Sequence, residues 1–320
     1  MHILIDLRAC ALCCGDESLT KEHIFPESIG GTLTSELVCK PCNDYLGSEV
    51  DAKLASNGLI QLACAALSIK GKTGKPPNPF RRLRTRTEPP IITSLEPDRT
   101  SPRYGISQQI TKEIRDDRVI FRGGKSRDEL FEAVNKFAER RDGVGISRQD
   151  FDRGLGRSDP DEPLELSMEI DTDLSGASVG ALKIAYELTL CHLGPQYLSD
   201  PLAGVARAML GNSRDRGVNL DGPQIQKNFG YANSEFLLEA WTPRFDRLIA
   251  VIFVSDSSVD CALRFFRFFE GVFRMSDSPS SYPGAATMSW IQGSNGIFLV
   301  ENAREVENRI SEHLTRTGAA

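Results

Sequence analysis

Hydrophobic positions in this chain change period from segment to segment, and the changes mark out its elements. Residues 1–58 are turn-rich and short in element length, with turns at Cys10 to Gly15, Gly30-Gly31, Pro41 and Gly47. From Tyr45 to Ile69 the apolar positions Val50, Leu54, Leu59, Leu62, Ala66 and Ile69 recur at helical spacing, and Asn57-Gly58 divides the stretch into two helices. Gly105–Ile114 and Arg118–Phe121 are β-compatible pieces joined at Asp116-Asp117. Ser126 to Arg141 is an amphipathic helix with Leu130, Phe131, Val134, Phe137 and Ala138 on one face, and the glycine- and acid-rich 143–163 is a loop. Leu164–Ile170 alternates as a half-buried strand does.

Two further helices follow. Ser175 caps one whose stripe is Val179, Leu182, Ala185 and Leu188, stopped by Gly194-Pro195. Asp200-Pro201 opens the next, and Gly211 is expected to end it. Leu248–Val254 is a buried strand. The phenylalanine-rich Cys261 to Met275 fits two strands or a buried helix, and Asn302–Leu314 is a charged final helix. The pattern is α+β, without an internal repeat.

Composition changes abruptly at Lys70 to Pro90, where closely spaced prolines precede a run of arginines and no acid appears before Glu88. We place the domain boundary there: 1–69 is an N-terminal module, 70–100 a basic, proline-rich arm or linker, and 101–320 a separate α+β domain. The net charge of −6 excludes a surface coated for nonspecific nucleic-acid binding, so any such contact needs a local basic patch. No apolar run reaches the roughly 20 residues of a membrane span. The first residues lack the basic start of a secretory signal, so a cytoplasmic location is expected, with no membrane partner.

Five of the eight cysteines fall within the first 42 residues. Cys10-x-x-Cys13 and Cys39-x-x-Cys42 each set two thiolates on a tight turn, and together they can close a tetrahedral Cys₄ zinc site. With all four positions filled by protein, such a zinc is structural, and it suits a module too small to be stable on its core alone. Cys14 could compete as a ligand. Cys64, Cys191 and Cys261 sit in apolar contexts, as small buried residues do.

Between the knuckles stand Glu22-His23-Ile24-x-Pro26 and Gly30-Gly31, and the second knuckle continues as Leu37-Val38-Cys39-x-x-Cys42-Asn43. This ordered set, Cys10 to Leu54, resembles the HNH endonuclease family in its four-cysteine form. The resemblance implies a ββα-metal fold, with the first strand ending at Glu22-His23, Leu37-Val38 on the second strand and a helix starting near Cys42-Asn43. It also implies roles: His23 as general base, and Glu22 and Asn43 as ligands of a catalytic divalent metal, Mg²⁺ or Mn²⁺. Imidazole near its own pKa can take a proton from water, and hard oxygen ligands suit Mg²⁺. The family's middle Asn is Thr34 here, so Thr34 or Ser35 would have to hold the loop. The bland alternatives are a structural histidine at His23, a solvated acid at Glu22 and a helix N-cap at Asn43. Asp44, Asp51 and Lys53 read as surface residues, and His192 and His313 as unrelated to catalysis.

The arm carries Lys70, Lys72, Lys75, Arg81, Arg82, Arg84 and Arg86. A solvated charge run is the default for such a stretch, yet the adjacent module is net acidic and the arm could supply its phosphate contacts. Through the resemblance, the expected function is metal-dependent cleavage or nicking of double-stranded DNA, in restriction, phage defence or a mobile element. The C-terminal domain would then choose target or partner, or form a homodimer. The alternative is a catalytically inactive zinc-stapled module that binds nucleic acid or protein.

Overall fold

The computed structural model describes residues 1–80, 83–85, 92–97, 104–108, 110–115, 118–122, 126–154, 166–167, 175–216, 225, 229, 238, 240, 248–266, 268–292 and 298–317. It has two compact units, Met1–Pro77 with Asp171–Ala320, and Asn78–Ile170. The division expected from the sequence was 1–69, 70–100 and 101–320; the first unit runs on to Pro77 and takes in the chain again from Asp171.

The first unit begins with β1 (His2–Ile3), β2 (Leu19–His23) and β3 (Thr34–Cys39), which form a sheet in the order β1-β3-β2. β1 runs parallel to β3 and β2 antiparallel to it. The β2–β3 connection turns at Gly30-Gly31. Gly30 has φ +88°, and a Cβ on Gly31 would collide with the Phe25 carbonyl oxygen, so only glycine fits. α1 (Lys40–Tyr45) follows β3 directly, a π-helical stretch at Leu46–Asp51 joins it to α2 (Ala52–Ser56), and α3 (Gly58–Ala66) follows. The expected break at Asn57-Gly58 has a clear cause: Asn57 Oδ1 accepts from the Leu59 and Ile60 N–H groups and caps α3.

The second unit contains β4 (Leu83–Thr85), β5 (Ile92–Pro97), β6 (Tyr104–Gln108), β7 (Thr111–Arg115), β8 (Arg118–Arg122), α4 (Arg127–Asp142), α5 (Arg148–Gly154) and β9 (Leu166–Ser167). One sheet has the order β6-β5-β4-β9, and β7 with β8 makes a separate hairpin. Part of the expected arm is therefore sheet. Alternation explains it, since Leu83 turns inward at 3% exposure while Arg84 faces solvent. α4 starts as its sequence suggests, with Ser126 Oγ accepting from the Glu129 N–H, and it ends at left-handed Gly143.

The chain then returns to the first unit. α6 (Ser175–Leu193) is buried on nearly all sides from Ala177 to Leu190, as its uninterrupted apolar character requires. α7 (Pro201–Arg216) is capped by Asp200, whose Oδ1 accepts from the Leu202 N–H. It runs past Gly211, which corrects the expected stop; its backbone bonds continue through that glycine. β10 (Leu248–Val254), β11 (Val259–Phe265), β12 (Phe269–Ser276), β13 (Met288–Gln292) and β14 (Phe298–Glu301) form an antiparallel sheet ordered β12-β11-β10-β13-β14. The phenylalanine-rich stretch is thus two strands, turning at Phe266 with φ +51°. β10 is apolar throughout because both its faces are covered. Leu248, Ala250 and Ile252 belong to the main core, while Ile249 and Val251 pack with Val306 of the final helix Ala303–Thr317.

That main core is continuous. It joins Cys10, Leu37, Cys39 and Leu54 of the N-terminal module to Leu182 and Tyr186 of α6 and to Phe265 and Phe273 of the sheet. Sheet, α6 and module bury one another, which is why the N-terminal module and the C-terminal sheet are one unit. At Gly180 the helix lies close against α2, where an added Cβ would be 2.9 Å from Leu54 Cβ.

Candidate functional site

The four cysteines come together as their spacing predicts. The sulfurs of Cys10, Cys13, Cys39 and Cys42 lie within 4.8 Å of one another, and among the described residues no other group of three or more His, Cys, Asp or Glu side chains could hold a metal ion. Cys10, Cys39 and Cys42 are buried, while Cys13 and Cys14 are exposed. Backbone donors point at the sulfurs: Cys39 N–H to Cys10 Sγ at 3.3 Å and Gly15 N–H to Cys13 Sγ at 3.4 Å. Burial raises the Cys39 and Cys42 thiols above the usual value; at Cys10 it also pushes up, but amides of Cys13, Cys39 and Leu12 outweigh it and bring the group below that value. Thiolates with amide donors in a tetrahedral-sized cluster fit Zn²⁺. Cys14 adopts φ +59° and is not in the cluster.

Glu22 and His23 are neighbours on β2, so they point to opposite faces of the sheet. Glu22 faces inward at 3% exposure, paired in register with Ser35. Behind it stands Lys183 of α6, with no exposed surface. The ammonium donates to Glu22 Oε1 at 2.6 Å, to the His23 carbonyl at 2.7 Å and to the Ile24 carbonyl at 3.4 Å. It also pairs with Glu187 Oε2 at 3.3 Å and Asp51 Oδ1 at 3.5 Å. Burial works against the charge on Lys183, but Asp51, Glu187 and Glu22 together hold it above the usual lysine value. The same burial, offset in part by Lys183, pushes Asp51 up to about 6 and raises Glu187 well above its ordinary value. Asp51 is therefore a member of a buried charge cluster and not the surface residue expected.

His23 faces the other way, half-buried, into an open cleft of about 470 Å³ that it shares with His2, Lys21, Glu27, Thr34 and Lys70. Burial lowers the His23 pKa from 6.5, against the opposing charges of Glu27 and Glu22, so its neutral form is favoured. The cleft's rim is braced from the C-terminal sheet: Gln292 Oε1 accepts from the Thr32 N–H at 3.0 Å, and its Nε2 donates to the Gly30 carbonyl.

Asn43 lies inside α1, with Cys39 in the N-cap position, so it is not a helix cap. Its amide donates to Thr20 Oγ1 at 3.0 Å and to the Lys21 carbonyl at 2.8 Å, tying the helix to β2. A divalent metal held by Glu22 and Asn43 does not fit this arrangement. Glu22 is buried against an ammonium that already neutralises it, and a second cation beside Lys183 would be repelled. Of the basic arm, Lys70, Lys72, Lys75 and Arg84 are exposed, whereas Arg81, Arg82 and Arg86 lie outside the described residues. Sequence reasoning missed Lys183, Glu187, Gln292 and His2. One signal was legible: Lys183 and Glu187, four apart in an otherwise apolar helix, must either break the helix's burial or neutralise each other inside it.

Residues 10–59 match the protein family described as HNH endonuclease. No curated protein and no solved structure gives a significant match to the chain.

Proposed function

We propose, from the premise that residues 10–59 are an HNH endonuclease module, that this protein hydrolyses phosphodiester bonds of double-stranded DNA, with His23 as general base. The observation that carries the proposal is the placing of His23 on an open cleft with Lys21 and Lys70, its imidazole biased by burial towards the neutral, proton-accepting form. A base there can take a proton from water as the water attacks phosphorus, and two ammonium groups oppose the charge that builds on the phosphate oxygens. Glu22 supports His23 from behind, through Lys183, which holds the His23 carbonyl and so the strand end on which the imidazole stands. Zinc on Cys10, Cys13, Cys39 and Cys42 would secure the turn before β2 and the start of α1, with no part in the bond change. Lys72, Lys75, Arg81, Arg82, Arg84 and Arg86 would add phosphate contacts. Neutralising these four arginines flattens the salt dependence of DNA binding; an unchanged slope removes them from the interface.

The second reading is a zinc-stapled binding module without catalysis, and the Lys183–Glu22 ion pair favours it, since that pair occupies the carboxylate that the family resemblance assigns to a metal. Supercoiled plasmid separates the two readings. Full-length protein is incubated with it in Mg²⁺, in Mn²⁺ and in EDTA, beside His23→Ala. Cutting that disappears in the variant supports hydrolysis, and the EDTA lane reads whether a dissociable metal is needed. Equal behaviour of wild type and His23→Ala removes His23 from the mechanism.

A further inference from the structure

The cleft holds a second imidazole from outside the matched family segment. His2 lies on β1, in register with Thr34 of β3, and Thr34 is in turn in register with His23 of β2. Residues directly opposite each other across a sheet point to the same face, so His2, Thr34 and His23 form one row across three strands. The row ends in the cleft, which all three side chains line. His2 is also oriented: its Nδ1 lies 3.0 Å from Thr34 Oγ1. The Thr34 hydroxyl has a second neighbour in the Met1 carbonyl at 3.4 Å, and the Thr34 N–H donates to the same carbonyl at 3.0 Å. Thr34, which is 4% exposed, thus sits where the family has its middle Asn and orients an imidazole supplied by another strand.

We propose that His2 is a second substrate-contacting residue of this cleft, the proton donor to the leaving oxygen of the phosphodiester. The proposal rests on the hydrolytic reading above. Two strand spacings, roughly 9.5 Å, separate the backbones of His2 and His23. A phosphate with a hydrogen-bonded group on each side spans a similar distance, because each hydrogen bond adds about 2.7–3.0 Å. Water attacks phosphorus from the His23 side, and His23 accepts its proton as the new P–O bond forms. The bond from phosphorus to the sugar oxygen breaks on the far side, and protonated His2 gives that oxygen its proton. The products are a phosphomonoester and a hydroxyl, and exchange with water resets both imidazoles. Thr34 is the positioning residue, since its hydroxyl engages Nδ1 and leaves Nε2 to face the substrate. The charged and titratable groups facing His2 are the amino group of the preceding Met1, Lys21 and His23 on β2, Glu27 in the following loop and Lys70 after α3.

The test uses full-length protein and an end-labelled DNA duplex, with single-turnover rates from pH 5 to 9 for wild type, His2→Ala and His2→Gln. Glutamine can keep the hydrogen bond to Thr34 but cannot give up a proton. The expected result is a loss of about a hundredfold in both variants, with the fall in rate at high pH missing from their profiles. A full rate in His2→Gln, or an unchanged profile in His2→Ala, overturns the proposal. Alongside, imidazole ¹⁵N resonances of wild type are followed while the same duplex is titrated in. Movement of the His2 signals without any cleavage in wild type keeps the contact and defeats the donor role together with the hydrolytic reading. Unmoved His2 signals defeat the contact itself.

Discussion

Lys183 Nζ lies 2.6 Å from Glu22 Oε1, at zero exposure and across 161 positions of sequence. Its hydrogen-bond acceptors are the carboxylate and the carbonyls of His23 and Ile24. A buried ammonium is tolerated only when its hydrogen bonds and its charge are both met. Here the groups that meet them are the strand end carrying His23 and the acids Glu22, Asp51 and Glu187.

Removing the lysine leaves carboxylates facing one another in the core. Lys183→Met is expected to destabilise the protein by about 3–5 kcal/mol, as breaking one half of a buried ion pair does. The double variant Lys183→Met with Glu22→Gln should cost less than the sum of the two single changes, because the residues are in contact. Urea unfolding of the four proteins measures the coupling, and strict additivity would refute it.

Asp51 gives the stability a pH dependence of known sign. Its pKa is about 6 in the fold against an ordinary 3.8, so between those values the folded state holds a proton that the unfolded state has lost. Stability from this group therefore falls as pH rises from about 4 to 6, by something on the order of 2–3 kcal/mol at full ionisation. Asp51→Asn should flatten that fall. Unfolding curves at pH 4.5 and 7 for the two proteins read it directly.

For His23 the sign runs through activity. The base works unprotonated, and burial lowers its pKa below 6.5, so the acid limb of the cleavage profile should rise with pH through a midpoint below 6.5. His23→Ala should lose at least about a hundredfold above that midpoint. A rising limb centred above 6.5 would show that another group is being titrated.

The zinc frame predicts one zinc per chain, read by elemental analysis. Cys42→Ser should lose the metal. Because Cys39 and Cys42 share a core with α6 and the C-terminal sheet, the loss should lower the melting point of that whole unit, by roughly 10 °C or more. A melt in which only a small fraction of the helical signal shifts would mean the module is independent.

Tyr186 joins α6 to the first knuckle, donating to the Ala11 carbonyl at 2.5 Å. Tyr186→Phe leaves that buried carbonyl without its donor and should cost about 1–3 kcal/mol. Zinc release to a chelator should quicken in the same variant.

How much of this was legible beforehand differs from residue to residue. Cys10, Cys13, Cys39 and Cys42 were readable because a two-residue gap sets both sulfurs on one turn, whatever surrounds it. The helix break at Asn57, the helix beginning at Ser126 and the strand at Leu248 were readable for the same reason, since their causes lie within a few residues. The extent of α7 was not, because a glycine stops a helix only where nothing else holds its backbone. The expected boundary at 70–100 rests on composition, which records local charge, whereas a compact unit is defined by which apolar faces cover one another.

Chain order alone determined that neighbours on a strand such as Glu22 and His23 take opposite faces, that the knuckles would pair, and that α6 would carry an apolar stripe at Val179, Leu182, Ala185 and Leu188. Only the tertiary structure decided what fills each face. Long-range packing brought Lys183 behind Glu22, making that carboxylate the counter-ion of a buried ammonium, and brought His2 beside Thr34 in front. These pairings depend on which distant segment covers the strand, and spacing within the strand carries no information about that.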